Sequence, residues 1–168
     1  MLNKIKSFFS FSGTNLSSLK NILAIKNLSK IKEVKVLFSI INGYSKDAKV
    51  MFVGGCVRKI LNKEKIDDID LATNLLPDQL KNFLIEKKIK LIETGISHGT
   101  INVLLNNKKF EVTSLRKDIK TDGRHAEVDF ISDWEQDATR RDFTINAIYS
   151  DLKGKLYDPV SGRVDLEK

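Results

Sequence analysis

The acids of Asp67-Asp68-Ile69-Asp70 put three carboxylates within four positions, followed at once by the apolar, strand-forming Leu71-Ala72-Thr73. On a strand, side chains two apart share a face, so Asp68 and Asp70 would project into one small space. Like charges held that close either take up a proton or gather a cation between them. The cation that suits an all-oxygen site with room for substrate phosphates is Mg²⁺. A solvated turn, with Asp67 or Asp68 capping a following helix, is the competing reading.

Three further groups carry chemistry. Gly54-Gly55 follows a β-rich run and precedes Arg58. Paired glycines let backbone approach a ligand, and a helix starting there would offer unpaired N–H groups to phosphate, although such a pair also serves as a plain turn. Glu111 lies in Lys-Lys-Phe-Glu-Val-Thr-Ser-Leu among apolar neighbours. It is either a third carboxylate beside Asp68 and Asp70 or a residue on the wet face of a one-sided sheet. Arg140, Arg141 and Asp142 stand ahead of an apolar stretch that contains Asn146. Arg141, Asp142 and Asn146 could meet a triphosphate and a ribose, or form a structural ion pair and cap. Neither His98 nor His125 has a cysteine or second histidine at ligand spacing, which argues against zinc.

These residues need elements to position them. Residues 28–44 space their apolar side chains as a helix does and stop at Asn42-Gly43. Ala48–Gly55 reads as a strand halted by glycine, Val57–Asn62 as the start of a helix, Asp67–Thr73 as a strand, and Leu76–Lys88 as a helix with Pro77 in its first turn. A strand follows at 89–95, and then two alternating runs joined at Asn106-Asn107 form a hairpin. The polar stretch 116–134 reads as a mobile loop with a short β segment, 134–150 as helical in its second half, and 154–168 as a turn and strand. A hairpin-containing sheet with irregularly placed helices favours an α+β fold over a doubly wound parallel sheet.

With 168 residues, 41% of them hydrophobic, the chain fits one domain, or one plus an appendage, with a real core. A formal charge of +7 favours polyanionic partners. The single Cys56 excludes an internal disulfide. The six arginines (58, 116, 124, 140, 141 and 163) all lie beyond residue 57 in a lysine-rich chain. An arginine kept against that bias points to bidentate anion contact. Residues 1–32 hold six lysines and no acid. They read as a basic extension on a cytoplasmic protein, with an organellar leader as the alternative; the apolar Ser7–Phe11 is too short to span a membrane.

In order, FVGGCVRKIL, DDIDLAT, TGISHGTINV, FEVTSLRKD, TDGRHAEVDF, RRDFTINAIYSD and DPVSGRVDL closely resemble the head domain of bacterial-type (class II) tRNA nucleotidyltransferases and poly(A) polymerases. The resemblance runs from about residue 35 onward and implies a head at 33–168 behind the extension 1–32. It implies a polymerase-β-like palm, a mixed antiparallel sheet flanked by helices, that adds nucleotides from CTP or ATP to RNA 3′ ends, such as a tRNA end, without a nucleic-acid template. On that resemblance Asp68 and Asp70 hold two Mg²⁺ ions, with Glu111 as third carboxylate. Gly54, Gly55 and Arg58 match the phosphate-binding turn, Arg141, Asp142 and Asn146 the triphosphate and ribose contacts, and Arg124 the flexible loop. Two departures stand out: Lys59 where the family has an acid, and Leu61-Asn62-Lys63 where it has Leu-Leu-Gly. The family's neck, body and tail are expected to be absent or to come from a separately made partner chain. An inactive or partner-dependent head that only binds nucleotide or RNA is the alternative, and a nucleotidyltransferase acting on a small molecule is a third reading.

Overall fold

The computed structural model describes residues 16–92, 98–121 and 126–167. Two helices open it, α1 (Leu16–Leu28) and α2 (Lys32–Asn42). The strand β1 (Val50–Phe52) runs into α3 (Gly55–Leu61) through Gly54, whose φ of 70° and ψ of −138° suit only glycine. Next come β2 (Asp70–Thr73), α4 (Pro77–Glu86) and the edge strand β3 (Lys90–Ile92). Gln79 turns its side chain back to accept from the Leu76 N–H at 3.1 Å, satisfying one free donor at the start of α4.

The hairpin forms as the sequence predicts, between β4 (Thr100–Leu105) and β5 (Lys108–Ser114). Asn106 and Asn107 take φ of 47° and 63°, the left-handed pair that a tight hairpin turn requires and asparagine tolerates. Two later strands, β8 (Tyr149–Ser150) and β9 (Leu156–Tyr157), complete a seven-stranded sheet in the order β3-β4-β5-β2-β1-β8-β9. Only β2 and β5 run parallel; the other neighbours are antiparallel. The sheet is therefore mixed and the fold α+β.

One face of the sheet, bearing Leu71, Phe110 and Val112, packs on Val34, Leu37, Phe38 and Ile41 of α2 and on Leu80 and Leu84 of α4. Ile25 and Leu28 of α1 enter the same core, so two helices that feed one interior lie on either side of the expected boundary, which falls at the first residue of α2. The opposite face carries a smaller cluster of Val53, Ala72, Leu115, Ala138, Ala147 and Tyr149. Asp70, two residues from Ala72, points to this thinly covered side. Among the described residues no helix is long and apolar enough to cross a membrane.

Three expectations fail. Residues 116–134 are not a loop with one short β segment: β6 (Arg116–Thr121) and β7 (Ala126–Phe130) form a separate two-stranded ribbon. The first strand was hidden because β6 is apolar only at Ile119, whereas β7 alternates Ala126, Val128 and Phe130; across the ribbon Lys117 pairs with the directly opposed Asp129 at 3.1 Å. In 134–150 the helix is in the first half, α5 (Trp134–Thr139), with Asp133 accepting from the N–H groups of Glu135 and Gln136. Ala147, Ile148, Tyr149 and Ser150 are all buried in succession, the mark of a strand entering the interior rather than of a helix face. Arg140 and Arg141 thus follow a helix instead of leading one. Finally, the chain closes in β9 and then α6 (Gly162–Leu166), not in a strand. The Asp158 carboxylate accepts from the N–H groups of Gly162 and Arg163, and that cap starts the helix.

Candidate active site

β2 and β5 bring the acids together. Their parallel register sets Asp70 beside Glu111. Asp68 lies just ahead of β2 rather than on it, so strand alternation does not orient it, yet all three acids line one cavity of about 210 Å³ with Ile69 and Lys109. The half-buried Asp70 carboxyl is pushed above the usual carboxylate range, first by burial and then by the charges of Glu111 and Asp68; Arg141 and Lys59 oppose the shift. An ionised Asp70 is thus short of positive charge where it stands. Among the described residues no three acids, histidines or cysteines close into a ligand set. Three carboxylates, all oxygen donors, with their like charges only partly offset by the nearby cations, fit a hard divalent cation. A wider groove of about 440 Å³ beside β1 and β9 holds Lys49, Asp151 and Lys155 but no such acid cluster.

The glycine turn sits over these acids. A Cβ added at Gly54 would lie 3.6 Å from Asp70 Oδ2, and one at Gly55 3.9 Å away. The turn is stapled to β2 by the Val53 N–H donating to the Asp70 carbonyl at 3.1 Å. Cys56 is buried beneath it, its thiol pushed up to about 11 by desolvation, and so serves as an inert core residue. Lys59, the departure noted in the sequence, is held by Asp67. Its ammonium lies 2.6 Å from Asp67 Oδ2, so Asp67 pairs with a lysine while Asp68 and Asp70 face the cavity.

From Arg58, Nη1 donates to Asn146 Oδ1 at 2.6 Å, joining the glycine turn to the short 3₁₀ turn Thr144–Asn146. α6 braces that turn from behind: a Cβ at Gly162 would come within 2.1 Å of the Thr144 carbonyl oxygen, and Thr144 Oγ1 donates to Asp165 at 2.7 Å. Arg141 lies over the Tyr149 ring at 5.5 Å, with Nη1 3.5 Å from the Asn146 carbonyl. Arg58, Arg141 and Asn146 therefore form one group. Asp142, the residue after Arg141 in the chain, is exposed. Arg124 of the expected flexible loop, and His125, lie outside the described residues.

Sequence reasoning missed the residue that organises this group. Asp137, with no exposed surface, accepts at Oδ1 from Arg140 Nε (2.9 Å) and the Arg116 backbone N–H (3.2 Å). At Oδ2 it accepts from Arg141 Nη2 (3.0 Å) and the Tyr149 hydroxyl (2.7 Å). Burial alone would raise its pKa, but the Arg141 and Arg140 charges with these hydrogen bonds hold it below the usual range. Its spacing three and four residues before the two arginines was the available signal.

An acid pair at the head of one strand, a third acid in register on its parallel neighbour and a glycine turn over both define, with this sheet order, a nucleotidyltransferase fold. A family model described as the poly(A) polymerase head domain matches residues 50–168, and the chain belongs to that family. It is 43% identical over 120 residues to CCA tRNA nucleotidyltransferase 1, mitochondrial, of Danio rerio, covering 71% of this chain and 28% of that protein. To the CCA-adding enzyme of Staphylococcus epidermidis it is 41% identical over 124 residues, 73% of this chain and 30% of the relative. The solved CCA-adding enzyme of Bacillus stearothermophilus in complex with CTP matches with a TM-score of 0.62 at 30% identity, over 91% of this chain and 32% of that one. The chain thus spans about three-tenths of the length of the curated relatives it matches.

Proposed function

We propose that this chain is the catalytic head of an RNA nucleotidyltransferase that transfers CMP or AMP from CTP or ATP to an RNA 3′ end, with a tRNA end as the first substrate to test. The observation that carries the reading is the register of Asp70 with Glu111, with Asp68 in the same cavity and Gly54-Gly55 against the Asp70 carboxylate. The names of the relatives, CCA-adding enzymes of bacteria and a mitochondrial enzyme, support the same class. In the reaction the RNA 3′-hydroxyl oxygen bonds to the α-phosphorus of the nucleotide, the bond from that phosphorus to the bridging oxygen breaks, pyrophosphate leaves, and the hydroxyl proton passes to solvent.

Asp68 and Asp70 would hold Mg²⁺, which when bound supplies a more nucleophilic hydroxyl and neutralises charge on the phosphates. The glycine turn gives the triphosphate a close backbone approach free of side chains. Arg58 and Arg141 meet its charge from one side, and Asn146 and Asp142 are the candidates for the ribose. No protein nucleophile is required. A partner chain carrying the rest of the RNA grip, and polyadenylation in place of CCA addition, belong to the same proposal. The acid-free residues 1–32 and the mitochondrial relative favour an organellar address over the cytoplasm.

The test is transfer of radiolabelled CTP and ATP, with Mg²⁺, to tRNA lacking its 3′ end. Incorporation is expected from the chain and should fall at least about a thousandfold in Asp68→Ala/Asp70→Ala, the scale of losing a metal-assisted step. Equal incorporation by both would refute the assignment. Nucleotide binding without incorporation would favour the partner-dependent reading.

A further inference from the structure

Asp137 does more than its burial requires. A carboxylate with two arginines three and four residues on could be an ordinary ion pair. Here, however, one side of each guanidinium, Nε with Nη2, is taken by a separate oxygen of the same acid. Nη1 of each is left outside that contact. Two guanidinium charges against one carboxylate leave one net positive charge, so the cluster still attracts an anion. The same Oδ1 accepts from the backbone N–H of Arg116, the first residue of β6, and the Arg116 side chain donates in turn to the His98 carbonyl. The root of the ribbon and the arginine pair are therefore fixed by one acid.

Resting on the nucleotidyltransferase reading, we infer that Asp137 is a positioning residue for the triphosphate: it turns the remaining Nη1 edges of Arg140 and Arg141, the latter now 3.5 Å from the Asn146 carbonyl, toward the nucleotide and locks their setting to the base of the β6–β7 ribbon. Arg141 already lies within electrostatic reach of Asp70, so the anion it aligns would end at the carboxylate cavity. Tyr149 is the support. Its hydroxyl holds Oδ2, and its ring lies under Arg141.

A purely structural role would lower stability and leave nucleotide selectivity alone, so the readout is the ratio of CTP to CMP affinity, measured by calorimetry on the full chain with Mg²⁺. In Asp137→Asn that ratio is expected to fall about tenfold with CMP affinity held, about the scale of one hydrogen bond to a charged group. In Tyr149→Phe, which keeps the ring, the acid and both arginine contacts, it should fall about threefold, less than for loss of the acid's charge, because only the hydroxyl's hydrogen bond to the Asp137 carboxylate goes. The second variant stands if the first does not fold. An unchanged ratio in a folded variant overturns the inference while the nucleotidyltransferase reading survives. Absence of CTP binding by the unmutated chain overturns that reading, and the inference with it.

Discussion

Asp70 and Asp137 both feel the charge of Arg141, and they live under opposite conditions. Asp137 is sealed and saturated: arginines, a backbone N–H and a hydroxyl occupy both oxygens, and its acidity is strengthened in spite of burial. Asp70 is half-buried with two other acids for company, and its acidity is weakened. The first has been given its cations by the chain; the second has acids as its nearest charged company, with Arg141 and Lys59 offsetting them only in part. The contrast separates a carboxylate that builds the fold from one whose compensation must come from outside, a difference that counting acids in the sequence cannot reveal.

Removing the saturated acid is the strongest way to break this comparison. Asp137→Ala leaves two arginines facing each other around an unpaired hydroxyl, and losing one partner of a buried ion pair costs about 3–5 kcal/mol. In a chain of this size that is a fall in Tm on the order of 10 °C, readable by thermal melting. A drop of only a degree or two would mean that Asp137 holds little.

A third acid sharpens the contrast at smaller scale. Glu33 on α2 accepts from Asn106 at 3.1 Å and pairs with Lys108 at 2.8 Å, tying that helix to the hairpin turn. The Lys108 hydrogen bond, its own backbone N–H and Asn106 lower its pKa to about 2 from an ordinary 4.5. With the folded value depressed, the stability Glu33 adds is complete above about pH 4.5 and is lost as pH falls toward 2. Glu33→Gln should therefore lower the urea midpoint modestly at pH 6, with the gap to the unmutated chain closing as pH approaches 2. A gap that widens in acid would contradict the pairing.

How much of this was legible beforehand follows from the range of each interaction. The hairpin at Asn106-Asn107, the glycine-ended β1 and the Pro77 helix are written in local turn chemistry and periodicity, and they stand where expected. The pairing of Asp70 with Glu111 joins residues far apart in the chain, so spacing could offer Glu111 only as one of two readings. Strand β6 was misread because it is apolar only at Ile119, and the helix before Arg140 because the apolar residues between Phe143 and Tyr149 can be set on a helix as well as on a strand. Lys59 was the open departure; it pairs directly with Asp67, the member of the acid run that does not line the cavity, and reaches Asp70 only through its charge.

The most direct test of the central contrast is the melting of Asp70→Asn beside the unmutated chain, with and without Mg²⁺. Because the charged form of Asp70 is disfavoured in the fold, the account expects the variant to melt higher than the unmutated chain in metal-free buffer, and Mg²⁺ to raise the Tm of the unmutated chain but not of the variant. A variant that melts lower without metal, or that gains as much from Mg²⁺ as the unmutated chain does, would show that Asp70 is a satisfied structural acid and that the cavity is not the cation site.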